Sequence, residues 1–196
     1  EAQDAPVDVM RVNDRYSVNV ANFGLDAAVA RRMIEVRRKP VIGGRNAYTT
    51  GVIHAFLHNM KTRCIVTADG EVLNPDGTML LTTLSCGRYV GGSFCCAPRS
   101  DNTDGLMEVA LVRPVSRLSF LRMMNIYKRG EHLDDPRTRD IFTYRRATSV
   151  TVEAPEPISF CVDGEMMEGT RFEAQILPGA VRFAAPKEKP EEEKES

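Results

Sequence analysis

The sequence lacks several features that would assign it to a common functional class. It has no run of about 18 apolar residues, so it contains no predicted membrane-spanning helix. Residues 1–9 are acidic and lack the basic start and apolar stretch of a secretory signal peptide. There is no G-x-x-x-x-G-K phosphate loop and no H-E-x-x-H zinc motif. We therefore expect a cytoplasmic protein, with peripheral contact at the inner membrane face as an open alternative.

The composition gives no case for a disulfide framework, a zinc site or nucleic-acid binding. The five cysteines are an odd number with no C-x-x-C pair, which predicts reduced thiols. His54 and His58 have a spacing that can hold a metal on a helix, but no glutamate follows His54, so we interpret them as helix surface. The net charge of −1 predicts no nucleic-acid partner.

Short β-branched runs separated by turn residues dominate both ends of the chain. Asn13-Asp14 divides the first run into a predicted hairpin, and Asp69-Gly70 marks another. The later predicted strands cover residues 106–113, 141–152, 158–162, 171–177 and 181–184. Two segments, E-A-P-E-P and P-G-A, are predicted turns between the last of these strands.

Three helices are predicted. Apolar residues at i, i+4 and i+8 from Leu25 indicate the first helix, which Pro40 ends. Asn46 is a suitable N-cap for a second helix to about Lys61, and Ser116 caps a third. Together the patterns predict an α+β fold, mostly β, in which an antiparallel β-sandwich carries about three helices at one side.

The folded domain is expected to cover residues 1–186. Residues 187–196 contain five glutamates and three lysines and almost no apolar side chain. Such a segment buries too little surface to order itself, so it is a predicted disordered tail.

Two carboxylate-containing turns hold the candidate functional residues. Residues 100–105 (S-D-N-T-D-G) gather the oxygen ligands that a hard cation prefers. They are not an EF-hand, because Leu111 stands where the bidentate glutamate belongs. Asp163-Gly164-Glu165 follows an apolar strand, and a carboxylate held there could act as a general base towards a hydroxyl. On local sequence alone, a solvated turn is the simpler interpretation of both segments.

Several short motifs occur in order along residues 7–185. They are N-V-A-N-F-G-L-D-A (Asn19 to Ala27), the Ala47-Tyr48 helix start, G-G-x-F-x-x-A-P (Gly91 to Pro98), T-D-G-L-M-E-V (Thr103 to Val109) and V-D-G-E (Val162 to Glu165). Each motif is weak alone. Their order and spacing together resemble the C-terminal domain of the diacylglycerol kinase and sphingosine kinase-like lipid kinases, especially the bacterial members.

The resemblance implies transfer of the γ-phosphoryl group of ATP to a lipid hydroxyl, in a cleft between an N-terminal α/β domain and a C-terminal β-sandwich. The proton acceptor of the family is the glutamate of the D-G-E motif, which corresponds to Glu165. The residues implied to hold a magnesium ion correspond to Asp101, Asp104 and, through its carbonyl oxygen, Leu106. This metal would brace the loop beside the cleft rather than bridge ATP.

The family binds ATP through a G-G-D-G-T motif in its N-terminal domain, and this sequence does not contain that motif. The resemblance therefore implies that the nucleotide-binding domain is a missing partner. We expect the 196-residue chain alone to have no kinase activity, because phosphoryl transfer needs ATP, metal and acceptor to be positioned together. Two alternatives stay open: a non-catalytic lipid-binding or regulatory module, and a kinase of a soluble acceptor such as NAD in the same superfold.

Two further contacts are expected from the residues themselves. A basic cluster could meet an anionic membrane surface, although an ordinary solvated helix end is the favoured interpretation. The cluster consists of Arg31, Arg32, Arg37, Arg38 and Lys39. An exposed sheet edge could pair two copies into a homodimer. The acceptor lipid is not identified by any of these residues.

Overall fold

The computed structural model describes residues 2–25, 27–28, 31, 60–90 and 94–186. The strands are β1 (Ala2–Val12), β2 (Arg15–Ser17), β3 (Val20–Gly24), β4 (Thr62–Arg63), β5 (Ile65–Ala68), β6 (Glu71–Val72), β7 (Thr78–Met79), β8 (Leu81–Ser85), β9 (Met107–Val112), β10 (Phe142–Ala147), β11 (Ser149–Val162) and β12 (Glu165–Pro186). One α-helix with both ends among the described residues, α1 (Arg117–Arg129), and a 3-10 turn (Glu131–Leu133) accompany them.

One antiparallel sheet provides both layers of a sandwich. The first layer has the order β10-β9-β8-β3-β11-β12, and the second has the order β6-β5-β11-β12-β1-β2. Strands β11 and β12 belong to both layers, because residues 150–153 of β11 pair with β5 and residues 160–162 pair with β3. The register between β11 and β12 shifts between Glu153 and Ile158, where the two strands pass from one layer to the other.

Alternate side chains of the strands point between the layers and form the core. Its aromatic centre is Phe23, Phe160 and Phe172, whose ring centroids lie 4.1 to 5.4 Å apart. Each ring is at most 2% exposed, and burying such a side chain stabilises the fold by about 1.5–3 kcal/mol. The same cluster contains side chains from both layers, including Met10, Val66, Leu84 and Val109.

Helix α1 lies outside this core. The Ser116 hydroxyl caps its N-terminus by accepting a hydrogen bond from the Ser119 N–H at 3.2 Å. Gly130 ends the helix with a φ of 76°, which favours glycine. Met123 packs against Leu81 and Val112 in a second apolar cluster on the outer face of the first layer.

The sandwich, its hairpins and the helix capped by Ser116 agree with the predicted fold class, but the predicted turns E-A-P-E-P and P-G-A are wrong. The first is the register shift inside β11, and the second is a bulge in β12 opposite Asp8 of β1. Proline is tolerated at such bulges because the ladder hydrogen bonds are interrupted there. The predicted strand 141–152 is divided at Thr148 into β10 and β11.

The described residues contain one complete α-helix rather than about three, although Leu25, Ala27, Ala28 and Arg31 are also helical, at the start of the first predicted helix. The first two predicted helices fall largely on residues 32–59, which lie outside the described residues, as does the predicted tail 187–196. No helix in the described part of the chain is long and apolar enough to cross a membrane.

Candidate functional site

The ends of four strands bring the candidate residues to one end of the first layer. Val162 pairs with Ala21, and Val20 pairs with Ser85, which in turn pairs with Glu108. The turn after β11, the loop before β3 and the long β8–β9 connection therefore leave the sheet at the same end. Glu165 and the predicted magnesium ligands both lie at this end.

Glu165 follows a tightly fixed turn. Asp163 and Gly164 have φ values of 45° and 95°, as a two-residue hairpin of type I′ requires. The Asp163 carboxylate accepts hydrogen bonds from the backbone N–H groups of Val18 and Val20, both at 2.8 Å. The Asp163 N–H donates to the carbonyl of Val20 at 3.0 Å. The turn is thus bound on both sides to the β2–β3 loop.

The carboxylate of Glu165 faces solvent. Its side chain is 76% exposed, and Oε2 lies 3.9 Å from Nη1 of Arg15. That distance is too long for a hydrogen bond, so Arg15 does not hold the carboxylate in a close ion pair. A hydroxyl substrate could therefore approach Glu165 directly.

A chain of hydrogen bonds connects this turn to the β8–β9 connection. The N–H groups of Cys86 and Gly87 donate to the carbonyl of Asn19 at 2.8 and 3.2 Å. The Asn19 amide donates to the Tyr89 carbonyl at 3.1 Å. Further along, the buried Ser100 hydroxyl donates to the Cys86 carbonyl at 2.7 Å. The predicted magnesium loop is thereby tied to the same framework as Glu165.

The predicted magnesium ligands have partners within their own loop. Asp101 Oδ1 accepts from the hydroxyl and the N–H of Thr103 at 2.7 and 3.0 Å, and these bonds hold the pKa of Asp101 below its usual value. Asp104 Oδ1 accepts from the Leu106 N–H at 3.0 Å. Asp8 accepts from the Gly105 N–H at 2.7 Å.

Asp8 was not identified from the sequence, yet it joins three separate segments. Its two carboxylate oxygens accept from the N–H groups of Gly105 and Gly179, and its own N–H donates to the Asn102 carbonyl at 2.7 Å. The side chain is only 2% exposed. The single aspartate in the apolar run V-D-V-M is the signal that could have drawn attention to it.

Arg146 and Glu108 were also missed. The Arg146 guanidinium contacts the Asp104 carboxylate and places its Nε 3.3 Å from Oε1 of Glu108. Glu108 is 2% exposed, and burial raises its pKa, while the neighbouring Tyr144 and Arg99 oppose the rise. A glutamate inside the apolar run M-E-V-A-L-V is the sequence signal for a buried ion pair.

The donor atoms of Asp101, Asp104 and the Leu106 carbonyl suit a magnesium ion, because all are hard oxygens. Such an ion would share Asp104 with Arg146. Nowhere in the described part of the chain do three or more His, Cys, Asp or Glu side chains form a group that could hold a metal. Water would therefore have to complete the coordination of an ion held by this loop.

Glu165 and the magnesium loop do not form one ligand shell. Between β12, which begins at Glu165, and β9, which follows Leu106, stand β11, β3 and β8. Four strand spacings correspond to about 19 Å along the sheet. The Glu165 carboxylate and the oxygens of the predicted magnesium loop are therefore two separate sites at the same end of the sheet.

Other residues considered in the sequence have structural roles. Arg31 donates to Glu168 Oε1 at 3.2 Å and to the Ser159 hydroxyl at 3.3 Å, so it binds the outer face of the first layer. The rest of the basic cluster lies outside the described residues. All five cysteines are buried free thiols, and burial raises the pKa of Cys64 and of Cys86 to about 12.

Comparison with known proteins assigns this arrangement to a family. The family model described as "YegS C-terminal NAD kinase beta sandwich-like domain" matches residues 19–185. A protein of Alcanivorax borkumensis named "Probable lipid kinase YegS-like" is 28% identical over 182 residues, covering 92% of this chain and 58% of the relative. A Bacillus subtilis protein named "Diacylglycerol kinase" is 26% identical, covering 95% and 59%.

The fold agrees with the same assignment. A crystal structure of a diacylglycerol kinase from Bacillus anthracis superposes with a TM-score of 0.63 at 15% identity, covering 94% of this chain and 55% of that one. The chain thus spans a little over half the length of the relatives it matches. The family match covers most of the chain and confirms the resemblance read from its motifs. The chain belongs to the YegS C-terminal domain family, whose fold is a β-sandwich of the NAD kinase type.

Proposed function

We propose that this chain is the acceptor-side domain of a kinase that transfers the γ-phosphoryl group of ATP to a lipid hydroxyl, with Glu165 as the proton acceptor. The observation that carries the proposal is the exposed Glu165 carboxylate on a turn fixed by Asp163. A general base must reach its hydroxyl and must be held in place while it does so. The names of the relatives support kinase chemistry.

In the proposed reaction, Glu165 accepts the proton of the lipid hydroxyl while its oxygen attacks the γ-phosphorus. The new oxygen–phosphorus bond forms as the bond between the γ-phosphorus and the β–γ bridging oxygen breaks, and ADP leaves. Asp163 does not touch the acceptor. It positions Glu165 by holding the turn against the β2–β3 loop.

An apolar surface beside the turn favours a lipid over a soluble acceptor. Tyr16 and Val18 are 64% and 59% exposed, although most large hydrophobic side chains in the described residues are buried. Val18 is also the residue whose N–H binds Asp163, so this surface adjoins the turn that leads to Glu165. The apolar part of a lipid could pack on these side chains while its hydroxyl reaches the carboxylate.

The ATP site is assigned to a part of the parent protein beyond this chain. About 40% of each relative's length lies outside the part that matches this chain, which leaves room for a nucleotide-binding domain. Bound magnesium would supply positive charge to the loop of Asp101, Asp104 and Leu106. The chain's own contribution there is Asp8, which holds Gly105 and Asn102.

A soluble acceptor is the second candidate, and the family's description as NAD kinase-like in fold is the observation that favours it. The decisive test joins this chain to its nucleotide-binding domain and measures ATP-dependent phosphorylation of a panel of lipids and of NAD. We expect phosphorylation of a lipid, lowered by about 10²-fold or more in Glu165→Gln.

Glu168→Gln is the matched control. Glu168 lies on the same strand three residues further on, is exposed, and pairs with Arg31. Its variant should keep the activity, and both variants should melt near the wild-type temperature. Phosphorylation of NAD alone would replace the lipid proposal with the soluble acceptor, and lipid phosphorylation indifferent to Glu165→Gln would refute the assigned base. The isolated 196-residue chain should show no turnover in the same assay.

A further inference from the structure

The outward face of α1 carries two leucines and Asn125 along its centre and cations along both edges. Leu118 and Leu121 are 57% and 52% exposed, although both are large aliphatic side chains. At about 100° per residue, they lie next to each other on the face opposite Met123. Arg117 and Arg122 lie on either side of this pair, and Lys128 and Arg129 continue the two edges about two turns further along the helix.

No acidic residue occurs within Arg117–Arg129. The nearest one, Glu131, follows the helix and receives two hydrogen bonds from Arg129 at 2.6 and 2.8 Å. Lys128 places its Nζ 5.7 Å from the centre of the Phe94 ring. The helix therefore presents positive charge, strongest at its N-terminal half, around two leucines that are more than half exposed.

We propose that this face of α1 docks on an anionic phospholipid surface. Leu118 and Leu121 enter the boundary between headgroups and acyl chains, and Arg117 and Arg122 on either side of them contact lipid phosphates. The proposal rests on the proposed function, because a lipid acceptor must be taken from a membrane. It names a different surface from the one beside Glu165.

Charge and area argue against a second copy of this chain as the occupant of the face. A symmetric contact between two copies through this face would place the same cations opposite each other, which is repulsive. Two leucines also offer far less apolar area than a stable protein interface of about 1,000 Å² needs. A membrane needs neither shape complementarity nor a large area, because several weak contacts with one charged surface add together.

The experiment measures sedimentation of the 196-residue chain with vesicles, in the absence of ATP. Vesicles of phosphatidylcholine with an equal part of phosphatidylglycerol are compared with vesicles of phosphatidylcholine alone. We expect binding to the anionic vesicles that weakens as salt is raised. Leu118→Ser/Leu121→Ser should weaken it by on the order of tenfold or more. Arg117→Gln/Arg122→Gln should weaken it by about fivefold for each cation.

Matched controls come from exposed residues elsewhere on the surface. Val72→Ser removes another exposed apolar side chain, and Arg145→Gln/Arg171→Gln removes the same number of positive charges from the sheet. These variants should bind vesicles like the wild type. Equal binding by the wild type and the Leu118→Ser/Leu121→Ser variant would overturn the proposal, as would absence of vesicle binding by the wild type. A wild-type dimer that this variant converts to monomers would also overturn it, in favour of a second copy on the face.

The parent protein separates failure of this inference from failure of the proposed function. Activity on a lipid in vesicles should fall in Leu118→Ser/Leu121→Ser, while activity on the same lipid in detergent micelles should not. A parent that phosphorylates no lipid refutes the proposed function, and the vesicle sedimentation result still decides the docking surface. Equal activity of the variant and the wild type on vesicles would count against docking alone.

Discussion

The Nε atom of Arg146 lies 3.3 Å from Oε1 of Glu108, a carboxylate that is 2% exposed. The same guanidinium contacts the more exposed carboxylate of Asp104. Arg146 therefore lies against a buried carboxyl group on β9 and also contacts the loop that precedes the strand. Loss of the guanidinium would leave Glu108 buried without its cation.

Arg146→Met is expected to lower the free energy of unfolding by about 1–3 kcal/mol, the cost of leaving a buried polar group without its partner. Arg145→Met is the control: Arg145 is the neighbour on β10 and pairs with Glu71, which is 62% exposed. Such a surface pair contributes about 0–1 kcal/mol. Urea unfolding of both variants checks the difference, and Arg146→Met/Glu108→Leu should recover much of the loss. Equal stability of the two single variants would contradict the buried role of Arg146.

Asp163→Asn should lower both stability and activity, because an asparagine oxygen cannot accept both of the N–H bonds that the carboxylate accepts. We expect kcat of the parent kinase to fall by on the order of tenfold to 10²-fold, since Glu165 loses its fixed position. Asp69→Asn is a matched control, because Asp69 occupies an equivalent Asp-Gly turn and accepts hydrogen bonds from Thr148 and Ser149. It should lower the melting temperature without a comparable loss of kcat. A similar loss of kcat in both variants would show a general effect of instability.

Magnesium is expected to raise the melting temperature of the chain if the loop of Asp101, Asp104 and Leu106 holds it, because a ligand that binds only the native state stabilises it. Asp101→Asn and Asp104→Asn should abolish the rise. Asp76→Asn is the control, since Asp76 also accepts from a threonine two residues on, Thr78, in an exposed turn. A wild-type melting temperature that does not respond to magnesium would refute the predicted ligands.

Stability should fall as the pH drops from 6.5 towards 4, because of His132. The imidazole is 1% exposed, and burial lowers its pKa from 6.5 to about 4, with a smaller opposing contribution from the Cys96 backbone. Asp134 and Arg99 act on it in opposite directions. Between pH 6.5 and about 4, the imidazole is therefore protonated in the unfolded state and neutral in the folded state. The contribution of His132 to the free energy of unfolding is fully present above pH 6.5. It decreases by about 3 kcal/mol as the pH falls to the folded-state pKa of about 4.

His132→Phe tests this assignment, because a phenyl ring can occupy the place between Tyr127 and Phe142, whose centroids lie 4.9 and 4.7 Å from the imidazole. Urea unfolding at several pH values should show a smaller decrease below pH 6.5 in the variant than in the wild type. If the variant and the wild type lose the same stability below pH 6.5, the decrease in the wild type belongs to another titrating group.

Local chemistry was enough to predict the hairpins. Asn13, Asp69 and Asp163 all have positive φ values, and Asn and Asp are the non-glycine residues that tolerate this region best. Their positions in the sequence therefore gave correct hairpin turns. Ser116 likewise marked the start of α1, because an N-cap depends only on residues of the same turn.

The errors arose where a distant segment decides the local structure. Pro178 and Gly179 look like a turn, but β12 continues through them because Asp8 of β1 accepts the Gly179 N–H at 2.8 Å. The pair of Glu108 and Arg146 is cross-strand, and only the pairing of β9 with β10 brings it together. The motif carrying Glu165 was found by resemblance, whereas the Val18 and Val20 contacts that fix its turn have no signal near residue 163.

The pairing of β1 with the C-terminal half of β12 limits when the sandwich can finish folding. Ala2 is opposite Pro186 and Val12 is opposite Ala174, so the first strand of this sandwich to be synthesised pairs with the last one. Closing so long a loop is entropically costly, and we expect slow folding of the sandwich that is completed only after β12 has been synthesised. Until β12 arrives, the β1–β2 hairpin has an open edge that could pair with other nascent chains, which makes early chaperone contact advantageous for this domain.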